Sequence, residues 1–145
     1  MVDLEKLQSI ARKSIDQYFR SGLGSLKWED RVFFLAWCYS GGLDNGGHAA
    51  FFHNSQADNY VETIEALEVL GLKVFSELLE AAAKVLFNGA VPRDVSTRNE
   101  LIDELQDAAL IDDEIESIDQ KFFANGGGTR VLEALEEWYF RCQTI

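Results

Sequence analysis

Apolar residues recur every three or four positions from the start of the chain. Leu4, Leu7, Ala11, Ile15 and Tyr18 fall on one side of a predicted first helix, with Lys6, Arg12, Lys13 and Asp16 on the other. Gly22 and Gly24 end it. The run from Val32 to Tyr39, with Phe33, Phe34, Leu35 and Trp37, is apolar on nearly every side and predicts a buried central helix. No alternating β-branched segment elsewhere offers that run a strand partner. Gly41 to Gly47 then reads as turn chemistry. His48 to His53 form a short helix that carries Phe51 and Phe52 inward.

Ser55 and Asp58 are candidate N-caps for the next helix, which places Val61, Ile64, Leu67 and Leu70 on one face and stops at Gly71. Val74, Phe75, Leu78, Leu79, Ala82 and Leu86 keep the same period up to Asn88-Gly89. Pro92 marks the main break. Beyond it Thr97-x-x-Glu100 has capping-box form ahead of Leu101, Ile102, Leu105, Ala108 and Ala109. Ile115, Ile118 and Phe122 define a further helix, Asn125 to Gly128 interrupt it, and Leu132, Leu135, Trp138, Tyr139 and Cys142 line a last one. The expectation is an all-α chain of about seven or eight helices, forming a single domain over residues 1–145 without linker or repeat.

Charge changes this picture more than composition does. The apolar share of 47% suits one packed core, whereas 25 acidic against 13 basic residues give a net charge of −12. Such a charge opposes direct contact with nucleic acid or an anionic membrane and favours a basic partner, although it also simply aids solubility. The acidic opening Met1-Val2-Asp3-Leu4-Glu5 does not resemble a signal peptide, and no apolar stretch approaches the roughly 18 residues of a membrane span. Cys38 and Cys142 form no C-x-x-C pair, and a reducing cytoplasm is the expected location.

From Glu100 to Asp119 the chain holds nine carboxylates and no Lys or Arg. Glu100, Asp103, Glu104 and Asp107 are spaced i, i+3, i+4 and i+7, which puts them on one face if the helix is continuous. Like charges at these spacings cost about 0.2–0.5 kcal/mol per pair. Glu100 could close a capping box, and Asp112 and Asp113 could favour a helix N-terminus, but Asp103, Glu104 and Asp107 have no such local use. With Asp113 and Glu116 they form the candidate partner-binding face, to be weighed against an ordinary solvated helix surface.

Other chemistry is sparse. Asp112 to Ser117 lacks the glycine and the ligand alternation of a calcium loop. His48 and His53 are not at the i, i+4 spacing of a metal pair, and neither glycine cluster has the frame of a phosphate loop, so no metal or cofactor is expected. No G-x-S-x-G is present. The alternative to a binding role is a small-molecule or hydrolytic pocket built from Asn45, His48, His53 and Asn54.

The order Asn45-Gly46-Gly47, Phe51-Phe52-His53-Asn54-Ser55, Ala66-Leu67, Leu70-Gly71, Leu78-Leu79 and Ala82, followed by Ile118-Asp119 and Phe122-Phe123, resembles the DNA mimic protein 19 family from about residue 30 to 125. His48 stands where that pattern has an aromatic residue, and Ala50 where it has Gln. The resemblance implies an acidic all-helical bacterial domain, a homodimer, and a partner that is a basic protein such as a transcriptional regulator, bound in place of DNA. Within the motif, Asn45, Gly46, Gly47, Phe51, Phe52, Asn54, Asp119 and Phe122 have a mainly structural expectation: the glycines shape a helix entry and the rings fill the core.

Overall fold

The computed structural model describes residues 2–143, among which lie seven α-helices, two 3-10 turns and no strand. The first helix, α1 (Leu4–Ser21), starts where the Asp3 side chain accepts the Lys6 amide, and stops at Gly22, whose φ of 84° suits a residue without Cβ. It buries Leu7, Ala11 and Ser14, while Leu4 stays outside.

The centre of the molecule is α2 (Trp28–His53), against which α1, α3, α5, α6 and α7 all pack. Its buried run matches the continuous apolar pattern. The predicted turn over Gly41 to Gly47 is much shorter in the structure, because the helix runs through Gly41 and Gly42 and breaks only at Gly46-Gly47. Gly42 is needed within the helix, since Phe51, returning beyond the kink, sits 3.3 Å from where a Cβ would stand. The predicted short helix is thus the arm of α2 that follows its kink.

A 3-10 turn (Ser55–Asn59) leads into α3 (Tyr60–Val69). Neither Ser55 nor Asp58 caps α3; Asn59 occupies that position without a side-chain bond. The buried face is Thr63, Ala66, Leu67 and Leu70, so Leu67 and Leu70 of the predicted stripe are buried, Ile64 is half-buried and Val61 is exposed. The Thr63 hydroxyl satisfies itself by donating to the Asn59 carbonyl at 2.8 Å, which lets a polar residue face the core.

Next, α4 (Lys73–Phe87) buries Phe75, Leu78, Leu79, Ala82, Leu86 and Phe87, with Val74 outside. It ends as the sequence predicts, with Asn88 and Gly89 left-handed and their amides bonding back to Lys84 and Ala83. In α5 (Val95–Asp103) the cap is Asp94 rather than Thr97: the Asp94 carboxylate accepts both the Thr97 amide and its hydroxyl at 2.9 Å. Two longer helices, α6 (Ala108–Ala124) and α7 (Gly127–Gln143), close the bundle. No helix among the described residues is long and apolar enough to cross a membrane.

Candidate partner-binding surface

Two polar assemblies position the surface. The first is at the kink of α2. Gly47 has φ of 77°, and a Cβ there would collide with the Asp119 carboxylate of α6. That close approach lets Asp119 Oδ1 accept the His48 amide at 2.9 Å while lying 2.7 Å from His48 Nδ1. A carboxylate can only accept, so Nδ1 carries a proton, and in the neutral ring Nε2 accepts from the Tyr39 hydroxyl at 2.8 Å.

His48 is fully buried in this chain of bonds. Burial, reinforced by the Asp119 charge, holds the Tyr39 hydroxyl well above the usual phenol range and keeps it a donor. His48 also packs edge-on against Phe122 and beside Tyr39, so it fills the aromatic position and supplies two polar contacts besides. Gly47, His48 and Asp119 thus join α2 to α6, and Phe51, Phe52 and Phe122 are buried in the core.

The second assembly centres on Arg98, which is fully buried. Its guanidinium donates to the carbonyls of Phe52, Asn54, Pro92 and Arg93 and to Asp58 Oδ1, over 2.7–3.0 Å. The Phe52 carbonyl lies in the last turn of α2 and the other three in the segments between α-helices, and a buried cation requires acceptors on every side. Sequence reasoning missed Arg98. The signal was its spacing, since Val95, Arg98, Ile102 and Leu105 form the inward stripe of α5 and its extension, whereas Leu101, Ala108 and Ala109 are exposed.

The predicted four-carboxylate stripe does not exist as one helix face. Glu104 caps the end of α5, and Asp107, with φ of 54°, begins α6. A continuous helix would stack four like charges, and the bend disperses them. Glu100, Asp103, Glu104, Asp107, Asp113 and Glu116 are nonetheless all exposed around this α5–α6 corner, as are Asp112 and Glu114. No ion pair to any of these eight carboxylates occurs among the described residues. The acidic residues of α7 lie apart, Glu133, Glu136 and Glu137 lining a separate cavity with Val2 and Leu4.

The alternative pocket is not assembled either. Asn45 and Asn54 line one cavity with Trp37 and Cys38, His53 lines another, and His48 opens into neither. The Asn54 side chain donates to the Ala50 carbonyl, and His53 Nδ1 lies 2.6 Å from Asn99 Oδ1. Burial pushes the Cys38 thiol up to about 12, which leaves it a poor nucleophile. Among the described residues no cluster of three His, Cys, Asp or Glu could hold a metal ion.

Comparison with known proteins agrees with this anatomy. Neither the curated proteins nor the solved structures gave a match. The family model described as DMP19-like protein matches residues 24–143, from just before α2 to the end of α7. With nearly the whole chain covered, including the kink motif and Asp119, the protein belongs to the DMP19-like family.

Proposed function

We propose that the chain is a non-catalytic acidic interaction domain that binds a basic protein, of the DNA-binding or regulatory kind, through its α5–α6 corner. The observation that carries this reading is the state of the carboxylates between Glu100 and Glu116. All eight reach solvent, the segment contains no Lys or Arg, and none pairs with a cation among the described residues. Such a corner repels itself until a cationic surface covers it.

Membership in a family associated with DNA-mimic and protein-interaction roles supports the same partner class. The net charge of −12 argues against nucleic acid as the direct partner. The reading places the chain in the cytoplasm as a homodimer that presents two such corners.

Affinity capture from source lysate at low salt tests it, with wild type beside an Asp103→Asn/Glu104→Gln/Asp107→Asn/Asp113→Asn/Glu116→Gln variant. The expected result is a basic DNA-binding protein retained by the wild type alone, released by salt and by competing duplex DNA. Equal retention by both baits would overturn the proposal.

A further inference from the structure

Beside the acidic corner lies a groove of about 290 Å³ between the kinked arm of α2, the end of α4, α5 and α6. Ile102, Leu105, Ile111 and Ile115 give it an apolar lining. Asp112, Glu116, Asp119 and His53 also line it, and among the described residues no Lys or Arg does. Its size is near the lower end of the roughly 300–1,000 Å³ of small-molecule sites, and it suits one or two inserted side chains better than a large ligand.

Asp119 links the groove to the interior. Its Oδ1 is engaged twice by His48, Oδ2 packs against the Gly47 backbone, and the side chain as a whole remains 20% exposed. The carboxylate therefore serves the fold while forming part of the groove's wall.

We propose that this groove receives an amphipathic basic segment of the partner, with an aliphatic or aromatic side chain seated among Ile102, Leu105, Ile111 and Ile115 and flanking Lys or Arg side chains on Asp112 and Glu116. The occupant's chemistry follows from the lining: the apolar part needs an apolar anchor, and the two exposed carboxylates, without an ion pair among the described residues, favour positive charge. A surface that only imitated phosphates would have no use for the apolar part. The inference rests on the acidic-corner reading and adds that affinity comes from an anchor as well as from charge.

The test uses two fluorescent peptide probes of equal charge, a helical Lys/Leu 14-mer and an oligolysine, titrated against the full chain. An Ala108→Trp variant fills the groove from an exposed position without removing a core residue. The wild type is expected to bind the Lys/Leu peptide at least about tenfold more tightly, equivalent to about 1.4 kcal/mol. Ala108→Trp should abolish that preference and leave oligolysine binding unchanged. Methyl chemical shifts of Ile102, Leu105, Ile111 and Ile115 should move with the Lys/Leu peptide alone, a readout that needs no variant to fold.

Equal affinity for both peptides, lost on neutralising the corner, would overturn the groove proposal and leave the acidic reading standing. Binding of neither peptide would overturn both. If Ala108→Trp instead converted a dimer to a monomer, the groove would be occupied by a second copy and the proposal would fail.

Discussion

Two regions of α6 use the same chemical group in opposite ways. At Asp119 a carboxylate faces inward, packed on Gly47 and bonded twice to His48. One and two turns earlier, Glu116 and Asp112 face solvent without a partner in the described chain. The inner carboxylate contributes to folding because its acceptor capacity meets buried donors. The outer ones oppose folding slightly, since nothing offsets their mutual repulsion. Net charge alone would count them as equivalent.

If this division holds, substitutions in the inner network should be costly and those on the outer corner nearly free. The largest effect is expected for Arg98→Ala, which leaves four carbonyls and Asp58 without their shared donor; a loss of about 3–5 kcal/mol should appear as an early midpoint in urea denaturation. Asp119→Ala strands two buried His48 donors and should cost about 2–4 kcal/mol in the same assay. Gly47→Ala meets both an unfavourable φ and the Asp119 carboxylate, and should lose about 2–3 kcal/mol in thermal unfolding.

By contrast, Asp112→Asn/Asp113→Asn/Glu116→Gln should leave the melting temperature unchanged or slightly raised at low salt, with the difference vanishing in high salt. A drop comparable to that of Asp119→Ala would break the comparison. A pH-dependent effect belongs to Asp94, whose carboxyl is held below the usual range by the Thr97 amide and hydroxyl. A lowered folded value means its contribution is present above the ordinary 3.8 and lost as the pH falls through the folded value. The gap in melting temperature between wild type and Asp94→Ala should therefore be widest near neutrality and close in acid.

The helical class and most core residues were legible because burial on one side imposes a 3.6-residue period, visible in α1, α4 and α7 without knowledge of their neighbours. Helix starts were less so. Thr97 and Asp94 both look like caps, and only the loop before α5 decides that Asp94 accepts the amide. Gly41-Gly42 resembled a turn for a related reason: glycine marks both chain reversals and close packing, and at Gly42 the approach of Phe51 makes it the latter.

The candidate site was half legible. The sequence located the exposed carboxylates, but a bend at Asp107 depends on where Leu105 and Ile111 find apolar surface, which a one-dimensional pattern does not contain. Arg98 was overlooked because an arginine among polar neighbours such as Thr97 and Asn99 reads as a solvated charge. His48 was read as a candidate for pocket chemistry, whereas its partners Tyr39 and Asp119 are nine and 71 positions away in the chain.

The two-sided use of α6 has a consequence for how such a domain can diversify. Its inner strip, Ile115, Ile118, Asp119 and Phe122, answers to the core, while Asp112, Asp113 and Glu116 answer to whatever lies outside. Variation can accumulate on the outer strip without passing through poorly folded intermediates. One scaffold can thereby be retuned to different partners while its glycine kink and its buried arginine stay fixed.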